Sequence, residues 1–234
     1  MPHEHLFPDQ ASLLPALLEF CVAALREDLR TAAAVTCLLS GGTTPRALYR
    51  HLAAAALPWQ RITPALVDER WVELDDPASN EGLLRTMFRH NAPFLAQLQG
   101  MKTAAASAEA AQQDCEQRYQ ALPRPWSLAL LGLGPDGHTA SLFPHASALD
   151  AAMNSSQLCQ ALQAEASAVT GPHTQRMTLT RSALCSARRL LLYFTGAEKW
   201  QVYQAALHCH DWHRLPVAAL LQQEQVPLHI FYHP

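Results

Sequence analysis

A chain of 234 residues has room for one ordinary α/β domain with a sizeable core. At 49% hydrophobic and 16% charged it is globular rather than disordered. Its formal charge of −3, from 17 basic against 20 acidic side chains without a Lys/Arg block, gives no nucleic-acid footprint.

The chain opens MPHEHLFPDQ, which has neither the basic start nor the small-residue cleavage site of a secretory leader; His3 and His5 read as part of a frayed terminus. Leucines and a cysteine at i, i+3/i+4 spacing predict a helix over residues 11–33. The short apolar run Val35–Leu39 reads as a strand ending in Ser40-Gly41-Gly42-Thr43-Thr44-Pro45, with a helix over 45–56 and Pro45 in its first turn. Residues 62–67 form the next apolar run and meet the charged corner Asp68-Glu69-Arg70-Trp71. Ser79-Asn80-Glu81 then opens a helix to residue 90. The Ala- and Gln-rich stretch 101–122 reads as helical, and Trp126–Leu131 as a strand ending in Gly132-Leu133-Gly134-Pro135-Asp136-Gly137-His138. Residues 189–194 form a strand, after which Thr195 and Glu198 stand in N-cap and capping-box positions; a last strand covers 226–232.

Strands alternating with helices predict one α/β domain over residues 1–234, its mostly parallel sheet covered by helices on both faces. No stretch reaches the roughly 18 apolar residues of a membrane span. Six cysteines without a C-x-x-C pair read as reduced, mostly buried thiols, hence a cytoplasmic chain.

Ligands of open parallel sheets bind beyond the carboxyl ends of the strands. Five of the nine glycines fall in two such corners, Gly41 and Gly42 in one and Gly132, Gly134 and Gly137 in the other, as if main chain there touches a ligand. The first corner offers helix-start N–H groups and hydroxyls to an anion, yet it is no Walker loop, since no Gly-Lys-Ser/Thr follows. In the second, a loop His with a neighbouring carboxylate suits general-base work near neutral pH. His138 stands where a dinucleotide fingerprint needs its third glycine, so a nicotinamide site is not expected. His208, His210 and His213 match no familiar zinc spacing, and neither Ser40 nor Ser141 sits in a G-x-S-x-G elbow.

SGGTTP, VDERWVELDDPASN and GLGPDGHTASLFP, with GPHTQRMTLT and FTGAEKW further on, resemble in order and spacing the glucosamine-6-phosphate isomerase/6-phosphogluconolactonase family. The loop before Arg176 departs from the usual proline cluster. Deaminases of the family have Phe-Asn-Glu-Pro where this chain has Ser141-Leu142-Phe143-Pro144, so the resemblance favours the lactonase branch. It implies a modified Rossmann-like fold and hydrolysis of 6-phospho-D-glucono-1,5-lactone to 6-phospho-D-gluconate in the oxidative pentose phosphate pathway, without metal or cofactor. His138 would assist water, Asp136 would orient His138, and Arg70 would stabilise the carbonyl oxygen or hold the phosphate. Ser40, Gly41, Gly42 and Thr43 would seat the phosphate with Arg176 and Lys199, the latter one of only two lysines; Asp68 and Asn80 would shape the sugar pocket. Partners other than this sugar-phosphate lactone are not expected, whether nucleic acid or membrane, and the chain is expected to be a monomer or weak homo-oligomer. The rivals are an isomerase or deaminase with Asp68 as carbon base, and a sugar-phosphate-binding regulator without chemistry.

Overall fold

In the computed structural model, residues 2–234 are described. Strand β1 (His3–Leu6) leads into α1 (Gln10–Leu29), which Asp9 caps by accepting the Ser12 N–H. Then come β2 (Val35–Leu39), α2 (Arg46–Ala54), β3 (Ile62–Leu66) and the three-residue β4 (Asp68–Arg70). Helices α3 (Asn80–Met87), α4 (Ala92–Gln97) and α5 (Ala108–Gln120) precede β5 (Trp126–Leu131). The remainder runs α6 (Leu149–Asn154), β6 (Cys159–Gln163), β7 (Gln175–Leu179), α7 (Arg181–Leu184), β8 (Leu190–Thr195), α8 (Ala197–Leu207), α9 (Ala218–Leu221) and β9 (Leu228–His233).

Six strands pair in parallel in the order β1-β9-β8-β5-β2-β3. Every residue of β2, β3 and β5 is buried, as a sheet with helices on both faces requires. Pro64, which lacks a ladder donor, is accommodated in β3 because that strand lies at the sheet's edge. A second, antiparallel sheet, β4-β7-β6, stands beyond the carboxyl end of β3.

Four expectations change. The first residues are not frayed: His3–Leu6 pairs with β9, and the His5 ring stacks on Phe231 with centroids 4.5 Å apart. The helix expected over 101–122 begins only at Ala108, where Ser107 supplies the cap, and the Met101 carbonyl accepts Cys115 and Arg118 from that helix instead of joining it. The segment 79–90 ends its helix at Met87, and Asn91 caps a separate one. Thr195 is the last residue of β8 rather than a cap; Gly196, at φ +91°, takes the N-cap position without a side-chain bond.

At the amino ends of the central strands, Asp28 of α1 is 1% exposed. Its carboxylate accepts Ser127 Oγ at 2.6 Å and Arg189 Nη1 at 2.9 Å, and it pairs with Arg188. Burial works to raise the Asp28 pKa, but the Ser127 hydroxyl and the two arginines outweigh it and hold the group below its ordinary value. A carboxyl depressed on folding stabilises the protein above its unfolded pKa, and that contribution is lost as pH falls through the folded one. Asp28→Asn is therefore expected to lower the unfolding free energy at pH 7 by roughly 1.5–3 kcal/mol. In urea titrations the deficit should shrink below about pH 4. A deficit unchanged at pH 3 would exclude ion pairing as its source.

Candidate active site

Because β2, β5 and β8 are neighbours, the loops leaving their carboxyl ends meet. After β2, the Ser40 carbonyl accepts the Tyr49 hydroxyl at 2.5 Å, which fixes the turn into α2. Gly41 has no room for a side chain: a Cβ there would collide with the Asn80 carboxamide. After β5, the chain folds back on itself, with Gly134 N–H donating to the His138 carbonyl at 2.9 Å and Gly137 N–H to the Gly134 carbonyl at 3.1 Å. A Cβ at Gly134 would overlap the His138 ring, so glycine is what lets the imidazole lie down on its own loop.

The tight loop brings the Asp136 carboxylate to both His138 donors, Nδ1 at 2.5 Å and the backbone N–H at 3.1 Å. Burial would raise the Asp136 pKa, but the His138 hydrogen bond and charge hold it below the ordinary carboxylate value, so Asp136 stays ionised. An ionised partner at Nδ1 fixes the tautomer and leaves Nε2 as the ring nitrogen available for proton transfer. Phe143 stacks on the imidazole, with centroids 4.2 Å apart and planes inclined by 30°.

The corner after β3 supplies the opposite wall. Asp68 accepts Ser141 Oγ at 2.6 Å and the Asn80 amide at 3.3 Å, and its carbonyl takes the same amide at 2.9 Å. Glu69 is fully buried and accepts the backbone N–H groups of Arg70, Asn80 and Glu81 at 2.7–2.8 Å, with Ser79 Oγ at 3.2 Å. It thus ties the start of α3 to β4 and places Asn80 beside Gly41. Arg70 donates Nη1 to the Ala78 carbonyl at 2.6 Å, while its buried Nε has no partner among the described residues.

A cleft of about 200 Å³ opens between these loops. Ser40, Gly41, Gly42 and Thr43 line one side, Asp68, Arg70 and Asn80 another, and His138 and Lys199 complete it. Lys199 stands in the first turn of α8, where burial lowers its pKa while Glu198 and Asp136 favour its charge. Asp136 lies behind His138 rather than on the cleft wall. Arg176 does not line the cleft either: it is 3% exposed and donates Nε to the His173 carbonyl at 2.8 Å and Nη2 to that of Thr170 at 2.9 Å. It faces Arg70 across the β4–β7 ladder, and burial, then the Arg70 charge, bring its pKa down to about 10 against the pull of Asp68 and Glu69. Glu69, Ser141 and Phe143 contribute in ways the sequence does not indicate, since there Ser141 stands out only as a possible nucleophile and Phe143 only as a mark of the lactonase branch.

No three His, Cys, Asp or Glu side chains among the described residues group as a metal site. In the His208–His213 stretch, His213 stacks on Trp212 and lies 3.5 Å from Asp150. No helix among them is long and apolar enough to cross a membrane.

Residues 8–228 match the family described as glucosamine-6-phosphate isomerases/6-phosphogluconolactonase. Among curated proteins, a 6-phosphogluconolactonase of Pseudomonas aeruginosa is 38% identical over 90% of this chain and 86% of its own. Another, of Rhizobium meliloti, is 32% identical over 98% of both. The crystal structure of a 6-phosphogluconolactonase from Shewanella baltica superposes with a TM-score of 0.93 at 32% identity, covering 100% of this chain and 98% of the other.

The Glu69 latch has a pH signature. Burial pushes the carboxyl up to about 7, although its three backbone N–H bonds work the other way. A group whose folded pKa exceeds its unfolded one binds more protons in the native state, so stability falls as pH rises between the two values. Glu69→Gln, which mimics the protonated acid, should remove this contribution. The stability of wild type relative to the variant is expected to decline as denaturation is repeated from about pH 4.5 to pH 7. A flat difference across that window would show that Glu69 is ionised throughout.

Proposed function

The chain belongs to the glucosamine-6-phosphate isomerase/6-phosphogluconolactonase family, and we propose that within it this protein hydrolyses 6-phospho-D-glucono-1,5-lactone to 6-phospho-D-gluconate, the lactone step of the oxidative pentose phosphate pathway. The observation that carries this reading is His138, held by Asp136 and lining a cleft that also contains a glycine-hydroxyl helix start and a lysine.

In the proposed reaction, His138 Nε2 takes a proton from a water as its oxygen attacks C1. Asp136 offsets the charge that develops on the imidazole. Arg70, which lines the cleft, stabilises the negative carbonyl oxygen of the tetrahedral intermediate. The bond from C1 to the ring oxygen then breaks, and His138 returns the proton to that departing oxygen. Backbone N–H groups and hydroxyls of Ser40–Thr43 and the Lys199 ammonium hold the phosphate, with charge-assisted bonds that are stronger than neutral ones. Arg176 adds positive potential from behind Arg70 rather than a direct bond. Asp68 and Asn80, already fixed to one another and to Ser141, shape the sugar pocket.

Turnover of freshly prepared lactone tests this. His138→Ala is expected to lower kcat by about 10²–10⁴-fold, the usual worth of a positioned base, with KM little changed. A near-normal kcat would move the base elsewhere in the cleft. Removal of the Lys199 charge should cost about 10- to 100-fold in kcat/KM on the phosphorylated lactone. On unphosphorylated gluconolactone the wild type should be poor and Lys199→Ala should change little. Equal losses on both substrates would refute phosphate recognition by Lys199.

A further inference from the structure

The carboxyl edge of the main sheet holds a second cavity, of about 400 Å³, for which the reaction above has no use. It shares only Thr43 and Thr44 with the cleft and opens on the other side of that loop. Tyr193 and Thr195 stand two residues apart on β8, hence on one face, and Thr195 is paired in register with His233 of β9. All three line the cavity.

Two polar atoms there are buried without a hydrogen-bond partner among the described residues. One is the hydroxyl of Tyr193, a residue only 2% exposed; the other is His233 Nε2. Burial raises the Tyr193 phenol above its ordinary pKa, with the nearby Gln10 amide working the other way, yet the hydroxyl completes no hydrogen bond. The other nitrogen of His233, Nδ1, donates to the Pro234 carbonyl at 2.8 Å, so Nε2 of the neutral ring is an acceptor, open to the P–OH of a hydrogen phosphate. Buried polar groups are normally satisfied, and two unsatisfied ones on residues that line one cavity mark it as a place for a ligand.

The charge around the cavity gives the occupant's sign. Arg46 and Arg50, one turn apart on α2, both line it and form no ion pair among the described residues. The carboxylate nearby is Asp9, which acts on His233 but has one oxygen bound to the Ser12 N–H and hydroxyl, both at 2.8 Å.

We propose that this cavity is a second anion site, separate from the catalytic cleft. It takes a small oxyanion of the phosphate type, with Tyr193 and His233 as buried contacts and Arg46 and Arg50 supplying the charge. Free phosphate and a small phosphate monoester share that chemistry.

Titration of the intact protein with inorganic phosphate, followed by calorimetry, tests the site independently of lactone turnover. Two classes of site are expected in the wild type. Tyr193→Phe and the double variant Arg46→Ala/Arg50→Ala should each weaken one class at least tenfold, leaving the other class and phosphate-free turnover unchanged. Lys199→Ala should weaken the opposite class. Methyl phosphate in place of inorganic phosphate separates the two sources: retained binding assigns the site to monoesters, and lost binding to the free ion. If the only phosphate bound is that lost on Lys199→Ala, or if binding survives both Tyr193→Phe and the double arginine variant in proteins with wild-type melting, the proposal is overturned.

Discussion

The side-by-side parallel pairing of β8, β5 and β2 is the constraint on which the rest of this molecule depends. Parallel strands send all their carboxyl ends to one edge, so three loops far apart in sequence are forced into one place. β5 lies between the other two, and the His138 loop that leaves it therefore sits between the Ser40–Thr43 corner and the start of α8. The opposite edge carries the ties that secure this order. There Asp28 joins α1 to Ser127 of β5 and to the two arginines that lead into β8. Chemistry and anchorage are thus divided between the two ends of the same three strands, and a change at one end need not disturb the other.

Around the cleft each carboxylate is committed to a protein partner, while Arg70 and Lys199 bring positive charge to its wall. Asp68 is committed to Asn80 and Ser141, and Glu69 to the first turn of α3. Asp136 is committed to His138. Arg70 retains an unpartnered Nε, Lys199 faces the cleft, and Arg176 stands directly behind in register with Arg70. Holding two guanidinium groups on facing positions is unfavourable by itself, which is part of why the Arg176 pKa is lowered. An anion in the cleft relieves that repulsion, whereas a neutral ligand does not. The selectivity for a phosphorylated substrate in the proposed reaction follows from this imbalance rather than from any single contact.

What the sequence made legible was local. Glycine clusters at strand ends, a Pro in the first turn of a helix and the placing of a scarce lysine are each decided within a few residues, and Ser40–Thr43, His138 and Lys199 indeed line one cleft. What it hid was decided by distant partners. His3–Leu6 is short and polar, and it becomes a strand only because the far end of the chain, β9, lies beside it. β4 is three residues long, too short to show alternation, and it exists through pairing with β7 more than a hundred residues later. Glu69 reads as one more charge in Asp68-Glu69-Arg70; its work as a cap for α3 requires a helix that starts eleven residues further on. Arg176 reads as a free cation in a polar segment, but its place in the central strand of the small sheet turns it inward onto the Thr170 and His173 carbonyls.

Phe143 shows how one position in that arrangement bears on the chemistry. Its ring lies against His138 on one side and 5.3 Å from the Arg176 guanidinium. A carboxylate there would sit between an imidazole and a buried guanidinium, pair with both, and give the imidazole a second anionic neighbour. With phenylalanine, His138 keeps a single carboxylate partner, Asp136, at Nδ1, and its flat face is held by stacking rather than by charge. Orientation is then fixed without a second group competing for the proton at Nε2. Phe143 and Asp136 thus act alike on His138: both fix the ring, and neither occupies Nε2.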